Sequence, residues 1–397
     1  MVHDVDGRLE DGPAGGRSRP QRRTTSRSVI DTDIHFAVDP RRIAEFLPEP
    51  WRRRYASGNR GPGHLGYWNP NGVDRSDAVT PAGVRIEASP ETLAEHFFDL
   101  YGIEYGILNK ESSLPIGLSP EPDFAAAVAS ALNDAIVTDW LPADPRFRAS
   151  LVVSVADPDL AAREIHRLGD HPGIVQVLMP SGARIPYGQR FYHPIYAAAV
   201  DHGLPVAIHP GSEGVGVSGP PGAVGYPGSY LEWHTGLVCG AIGHLLSLVS
   251  EGVFVRFPEL RFVLIEGGLA WLPPLLWRFD KNWKALRQTT PWLVRPPSEY
   301  VRDHILLTTQ PIEEPERPED LAAILGMVDV ARMVMFASDF PHWDGDTPDF
   351  AARAFPPPLR PRVLSETARE LYRLPAGAEE SPPRAVAAER EAVTGHG

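Results

Sequence analysis

Short runs of apolar and β-branched residues alternate with longer amphipathic segments between residues 28 and 375. Apolar runs of this length predict buried strands, and the amphipathic segments between them predict helices. Eight strands are predicted, at 28–36, 104–109, 148–155, 174–179, 204–209, 261–266, 304–309 and 332–339. Eight helices are predicted between and after them, at about 91–101, 121–139, 157–169, 193–202, 230–250, 268–287, 316–327 and 360–373.

This regular alternation predicts an α/β fold, a closed (β/α)8 TIM barrel. Two stretches rich in Gly and Pro, 57–90 and 211–229, follow the first and fifth strands and are too long for plain connections. They are expected to overhang the carboxyl ends of the strands. An open, doubly wound sheet is the competing architecture, but no Gly-rich turn follows the first strand to hold a dinucleotide.

Both ends of the chain have a different composition. Residues 1–27 and 376–397 contain few large apolar side chains, so they are predicted to be disordered tails. The folded part is therefore predicted to be one TIM-barrel domain at 28–375.

Composition and charge narrow the function classes. The 397 residues are 43% hydrophobic, which is enough for a large buried core. The formal net charge is −13 and no sustained Lys/Arg stripe lies outside the N-terminus, so no nucleic-acid partner is expected. No membrane span or secretory signal is apparent, and a single cysteine excludes an internal disulfide. These features predict a soluble, cytoplasmic protein.

Unusual polar residues fall at the ends of three predicted strands. In "SVIDTDIHF", alternation places Asp31, Asp33 and His35 on one face of the first strand. His209 ends the fifth strand and Asp339 ends the eighth. Each alone is more simply a strand end or a cap, but strand ends converge in a barrel, and together these residues predict one site. Asp31 lies one repeat deeper, where a structural role is expected.

Asp33, His35, His209 and Asp339 are a suitable ligand set for a divalent metal. Two imidazoles and two carboxylates bind Zn²⁺, and also Mn²⁺ or Fe²⁺. Such a site leaves a position for a water, whose pKa the metal lowers to about 7. Asp339 is then placed both to contact the metal and to accept a proton from that water.

At these residues the sequence resembles the amidohydrolase superfamily, in particular the amidohydrolase-2 group that includes aminocarboxymuconate-semialdehyde and γ-resorcylate decarboxylases. The motifs are "DTDIH", "VAIHPG", residues 247–280, "ASDFPHWD" and "ETARELYRL". The resemblance implies one divalent metal, with Zn²⁺ preferred, held by Asp33, His35, His209 and Asp339. The fourth strand, "IVQVLMP", lacks the Lys or Glu that bridges two metals in binuclear relatives. A homodimer is compatible with the resemblance and with the aromatic segments.

The sixth strand departs from the pattern of these decarboxylases. They carry a catalytic His where this chain has Glu266, in "IEGG". Glu266 is suited to bind a metal-bound water, to act as a general acid or base, or to ligate the ion. The structural alternative is a buried carboxylate that only holds an Arg or backbone amides.

Further candidates flank the predicted pocket. His234 is a catalytic candidate, and Glu232 and Trp233 beside it in "SYLEWHTG" are candidates for substrate binding. His342 follows Asp339 closely enough to line the pocket, and Arg75 in the first insertion is suited to bind a substrate carboxylate. Ordinary capping, packing or an exposed arginine is the alternative for each.

Three functions follow from this site. The leading prediction is hydrolysis of a small amide, ester or lactone by a metal-activated water, with Asp339 assisting proton transfer and Glu266 or His234 assisting the leaving group. The alternative is non-oxidative decarboxylation of a carboxylated aromatic or muconate-like compound. The third is a barrel that binds a metal and a small ligand without turnover.

Overall fold

The computed structural model describes residues 28–377. The predicted N-terminal tail and the predicted C-terminal tail from residue 378 lie outside the described residues. Eight parallel strands pair in sequence order, β1 to β8. They span Val29–His35 (β1), Ile103–Asn109 (β2), Phe147–Val152 (β3), Ile174–Pro180 (β4), Val206–His209 (β5), Phe262–Leu264 (β6), Ile305–Thr308 (β7) and Val334–Met335 (β8). Every predicted strand is therefore confirmed, with shifted ends.

Closure of the sheet depends on the segment that follows the short strand β8. The His35 amide donates to the Phe340 carbonyl at 2.7 Å, and the Asp339 amide donates to the Asp33 carbonyl at 3.1 Å. These hydrogen bonds join the last strand region to the first. The TIM barrel is confirmed, and the open doubly wound sheet is excluded.

Helices connect the strands and surround the barrel. Within residues 28–377 the α-helices are Pro40–Phe46 (α1), Trp51–Ala56 (α2), Pro90–Leu93 (α3), Asp99–Tyr101 (α4), Pro122–Ala135 (α5), Pro158–Leu168 (α6), His193–Asp201 (α7), Tyr230–Thr235 (α8), Val238–Ser250 (α9), Val253–Arg256 (α10), Leu272–Leu286 (α11), Pro297–His304 (α12), Pro318–Leu325 (α13), Val330–Met333 (α14), Pro348–Arg353 (α15) and Thr367–Tyr372 (α16). Many of these helices begin with Pro. Pro suits the first turn because the backbone N–H groups there have no acceptor within the helix, so the N–H that Pro lacks is not missed. α6 also begins with a side-chain cap, since Asp157 accepts from the amides of Asp159 and Leu160.

Two buried clusters hold the barrel together. The larger lies between the strands and the helices. The smaller takes side chains from seven of the eight strands, together with Tyr372, and fills the barrel interior. Ile30 belongs to this interior cluster, although strict alternation places it opposite Asp31. The register shift between Asp31 and Ile34, where three steps along β1 oppose two along β2, explains the difference, because such a bulge changes which side chains share a face.

One helical stretch in the described part of the chain, Tyr230–Ser250, is long and apolar enough to cross a membrane by length and composition alone. The sequence reading found no such stretch. In the structure its second half, α9, packs Leu245, Leu248 and Val249 into the larger buried cluster. Burial in the protein accounts for these side chains, so the stretch is weak evidence for a membrane span.

His244 in α9 gives the fold a pH dependence that can be measured. Its Nε2 donates to the Ser181 carbonyl at 2.7 Å, and its Nδ1 accepts from the Tyr187 amide at 3.3 Å. Burial lowers the pKa of His244 to about 4. Because the unfolded chain binds this proton below about pH 6.5 and the native chain does not, the free energy of unfolding falls as the pH drops from about 6.5 to about 4.

We expect this group to account for about 3 kcal/mol of acid destabilisation. The measurement is urea unfolding of the wild type and of His244→Gln from pH 7 to pH 4. The wild type should lose about 3 kcal/mol more than the variant over this range. Parallel stability curves for the two proteins would contradict the assignment.

Candidate active site

Four side chains from three strand ends meet inside the mouth of the barrel. Asp33 and His35 come from β1, His209 ends β5, and Asp339 follows β8. All four are buried, and one ligand atom of each lies within 4.8 Å of those of the others. His35 Nε2 lies 2.7 Å from Asp339 Oδ1, and His209 Nε2 lies 3.4 Å from Asp33 Oδ2. The structure therefore brings together the four residues predicted as metal ligands.

Hydrogen bonds to backbone carbonyls fix both imidazoles. His35 Nδ1 donates to the Asn109 carbonyl at 3.0 Å, and His209 Nδ1 donates to the Pro210 carbonyl at 2.7 Å. Each ring therefore carries a proton on Nδ1 and turns Nε2 toward the other site residues. Metal-binding histidines are commonly oriented in this way.

The unsatisfied atoms of the site fit a cation. Asp33 Oδ2, His209 Nε2 and Asp339 Oδ2 are buried and make no hydrogen bond to the described residues. Such atoms are costly to bury without a partner. A divalent ion satisfies all three at once, and two carboxylates balance its charge. The donor set therefore fits a divalent metal ion.

Opposite charges dominate the electrostatics of this group. Burial alone raises the pKa of Asp33, but the facing charges of His35 and His209 outweigh it and hold that pKa below its usual value. Burial is likewise outweighed at Asp339, where His342 and His35 keep the pKa low. Both carboxylates are therefore ionised at neutral pH, as metal binding requires.

Two site residues adopt a backbone conformation that is rare for side chains of their kind. Glu266 has φ 51° and Asp339 has φ 56°, both in the left-handed region. The sequence reading ended the last strand at Asp339, but β8 ends at Met335. Strained backbone at the end of a strand is typical of functional sites, where the surrounding structure maintains it.

Glu266 lies between the metal-ligand group and an open cavity. Its Oε2 is 3.6 Å from His209 Nε2, and its Oε1 is 3.9 Å from His234 Nε2. Burial and the nearby charge of Asp339 raise its pKa well above the usual value. Within residues 28–377 its ion-pair distances are to histidines and not to an arginine. Glu266 is therefore a buried carboxyl group whose protonated form is favoured by burial and by the charge of Asp339.

The cavity beside Glu266 encloses about 270 Å³. His64–Tyr67 from the first insertion and Gly211 and Glu213 from the second line it, so both insertions do overhang the strand ends. An aromatic wall, which we define as Tyr67, Tyr230, Trp233 and Trp343, also lines the cavity. Within that wall Trp343 Nε1 donates to the Tyr230 hydroxyl at 3.1 Å.

The other predicted residues divide between the cavity and the surface. Trp233, His234 and His342 line the cavity, and His342 Nδ1 lies 2.7 Å from Asp339 Oδ1. Glu232 instead accepts from the Gly228 amide at 2.8 Å in a local turn. Arg75 pairs with Asp77 at 2.9 Å and borders a separate, much smaller hollow. The structure does not bring Glu232 or Arg75 to the cavity.

The sequence reading did not single out Tyr230 or Asp344 as site residues. Asp344 Oδ2 lies 3.4 Å from His234 Nε2, and the Tyr230 ring stacks on His234 with centroids 5.4 Å apart. Asp344 closes the quoted motif "ASDFPHWD", and Tyr230 lies in "SYLEWHTG". Both motifs therefore contain these residues. No strand alternation, however, indicates where a side chain in a loop or at the start of a helix points.

Asn109 connects the metal-ligand group to the barrel interior. Its Nδ2 donates to Asp33 Oδ1 at 2.7 Å, and its Oδ1 accepts from Ser150. Gln176 Nε2 donates to Ser150 Oγ at 2.8 Å, and the Tyr372 hydroxyl donates to Gln176 Oε1 at 2.8 Å. This buried chain of hydrogen bonds orients Asp33 from the side of the barrel interior.

Replacing Asn109 by alanine should therefore weaken metal binding about 10- to 100-fold, as is typical when a partner of a ligand is removed. The measurement is competition with a chelator, followed by metal analysis. Asn133→Ala is the matched control, because Asn133 is equally buried but donates to Val152 and Glu164, away from the site. Equal metal affinity in the two variants would contradict the role of Asn109.

The fold and this donor set define a metal-dependent TIM-barrel enzyme, and residues 30–374 match the Amidohydrolase family. The chain belongs to that family. It is 26% identical over 265 residues to the γ-resorcylate decarboxylase of Rhodococcus jostii, covering 61% of this chain and 74% of the relative. The Polaromonas γ-resorcylate decarboxylase is also 26% identical, over 256 residues, with coverage of 61% and 74%.

Solved structures agree in fold. The 5-carboxyvanillate decarboxylase of Sphingomonas paucimobilis aligns with a TM-score of 0.60 at 21% identity, covering 88% of this chain and 99% of that one. A dihydroxybenzoic acid decarboxylase from Polaromonas, with bound manganese and 2-nitroresorcinol, aligns with a TM-score of 0.60 at 20% identity, covering 88% and 97%.

These comparisons correct the leading functional prediction. Hydrolysis was preferred because the sixth strand lacks the His of the decarboxylases, yet the relatives found are decarboxylases of carboxylated aromatics. The physical reason is that a buried glutamic acid with a raised pKa is also a proton donor. The missing imidazole therefore did not exclude decarboxylation.

Proposed function

We propose that this protein catalyses the non-oxidative decarboxylation of a carboxylated aromatic compound. The observation that carries the proposal is the position of Glu266, a buried acid between the metal-ligand group and the cavity with its aromatic wall. Decarboxylation requires a proton donor beside the carbon that loses the carboxylate. The names of the relatives support the same reaction class.

Asp33, His35, His209 and Asp339 are the proposed ligands of the ion. When bound, a divalent ion supplies positive charge that attracts and orients the substrate carboxylate. The sequence reading preferred Zn²⁺, but a structural relative contains manganese and carboxylate ligands suit that ion. We therefore propose Mn²⁺, with Zn²⁺ and Fe²⁺ as alternative results of metal analysis.

Glu266 performs the proton transfer in this proposal. Its carboxylic acid donates a proton to the ring carbon that bears the carboxylate, forming a C–H bond. The bond from that carbon to the carboxylate then breaks, its electron pair returns to the ring, and carbon dioxide leaves. Glu266, now ionised, regains a proton from solvent. General acid catalysis of this kind contributes about 10²- to 10⁴-fold to a rate.

The neighbouring side chains position the acid and the ring. His234 Nε2 lies between Glu266 and Asp344, at 3.9 Å and 3.4 Å, so it is suited to return the proton. His342 stacks on His35 with centroids 4.3 Å apart and holds the Asp339 carboxylate. Trp233 and the rest of the aromatic wall provide apolar surface for a substrate ring.

A panel of hydroxybenzoates, incubated with Mn²⁺-loaded and metal-stripped protein, tests this function. The loaded protein should release carbon dioxide from at least one compound, and the stripped protein should release none until Mn²⁺ is restored. Full metal content without release of carbon dioxide from any carboxylated aromatic would overturn the proposal. A homodimer and a cytoplasmic location remain predictions, which sedimentation and fractionation would test.

A further inference from the structure

The charges around the cavity are one-sided. Among the described residues that line it, Glu213, Glu266 and Asp344 are acidic, and neither Lys nor Arg is present. Arg75, the cation expected there from the sequence, pairs with Asp77 by two hydrogen bonds of 2.9 Å. The cavity therefore offers no arginine or lysine to a second carboxylate on the substrate.

Asp344 is the acidic lining residue that directly follows Trp343 of the aromatic wall. Its Oδ2 lies 3.4 Å from His234 Nε2 and accepts from Gln310 Nε2 at 3.2 Å. Asp344 lines the cavity. Its carboxylate favours hydrogen-bond donors on a ligand and disfavours acceptors.

The aromatic wall places a flat ligand next to this group. The Trp343 ring lies 5.5 Å from the His234 ring, and the Tyr230 ring stacks on the same histidine. A substrate ring that packs against these side chains, with its carboxylate directed at the metal-ligand group, turns a ring substituent toward Asp344. The polarity of Asp344 then selects that substituent.

We propose that the cavity selects aromatic acids with a single carboxylate and a hydroxyl or amino donor directed at Asp344, and rejects aromatic dicarboxylates. This inference rests on the proposed function, because it assigns the first carboxylate to the metal. It adds a specificity residue, Asp344, and a class of substrates. A second carboxylate is rejected because it faces Asp344 and Glu213, and no lysine or arginine among the described lining residues is present to pair with it.

The test compares 2,6-dihydroxybenzoate with 2,4-dihydroxyisophthalate, which differs from it only by a second carboxylate. Binding is read from the fluorescence of the cavity tryptophans, Trp233 and Trp343, in Mn²⁺-loaded protein, and turnover from release of carbon dioxide. We expect the monocarboxylates to bind at least 100-fold more tightly. Asp344→Asn should reduce the ratio of the two dissociation constants, dicarboxylate over monocarboxylate, at least tenfold.

Asp346→Asn is the matched control, since Asp346 is two residues away but borders the small separate hollow and not the cavity. Its binding ratio should equal that of the wild type. Equal binding of the two ligand classes, an unchanged ratio in Asp344→Asn, or no binding of either class would overturn the inference. Selective binding without carbon dioxide release would support the inference while contradicting the proposed reaction.

Discussion

His209→Ala is expected to lose metal and activity together. His209 is fully buried, and its Nε2 faces Asp33 and Glu266 without a hydrogen-bond partner in the described part of the chain. Removing a partner of a ligand costs about 10- to 100-fold in metal affinity, so removing the ligand itself should cost more than about 100-fold. Metal analysis after gel filtration should find about one ion per wild-type chain and almost none in the variant.

His304→Ala is the control for loss of a buried histidine. His304 is also buried, but it binds the Leu260 carbonyl at 2.9 Å on the far side of the fold. This variant should be less stable and keep its metal. Wild-type metal content in His209→Ala would contradict the assignment of the site.

Glu266→Gln should slow decarboxylation strongly and leave the metal in place. Glutamine has nearly the same volume as glutamic acid but has no acidic proton to give. We expect kcat to fall about 10²- to 10⁴-fold, which is the usual contribution of a general acid. The measurement is release of carbon dioxide at saturating substrate, with metal content determined on the same sample.

Glu213→Gln is the matched control, because Glu213 is a buried glutamate of the same cavity whose Oε2 accepts from the Gly211 amide at 3.1 Å. It should lose less than about tenfold, since it transfers no proton. Loss of metal in Glu266→Gln would indicate that Glu266 is a metal ligand. Carbon dioxide release at the wild-type rate would remove it from the mechanism.

The barrel was predictable from sequence because its signal is local and repeated. Apolar runs marked each strand, and polar residues at Asp33, His209 and Asp339 broke those runs where the strands end. Since the carboxyl ends of parallel strands converge in a barrel, the positions of these polar residues in the sequence predicted that they meet in one site. The structure brings one ligand atom of each of these residues to within 4.8 Å of the others.

The remaining features depend on the conformation of loops and on charge, which the sequence pattern does not encode. Arg75 was placed at the substrate, but a neighbouring Asp77 pairs with it. Asp344 and Tyr230 reach the cavity through loop and helix-start geometry. The chemistry of Glu266 depends on burial next to Asp339. Both raise the pKa of Glu266 and favour the protonated carboxyl group, which can donate a proton. Residue type alone, a Glu in place of the His of the decarboxylases, had favoured hydrolysis over decarboxylation.

Decarboxylation replaces the carboxylate of the substrate with a proton from solvent, and one experiment follows both the carboxylate carbon and this proton. Mn²⁺-loaded protein is incubated in D₂O with hydroxybenzoates labelled with ¹³C in the carboxylate, and both products are measured by NMR. We expect labelled carbon dioxide or bicarbonate to appear in equal amount to ring product with deuterium at the vacated carbon, and we expect Glu266→Gln to form both about 10²- to 10⁴-fold more slowly. Full metal content with the label retained in every carboxylate would contradict this expectation.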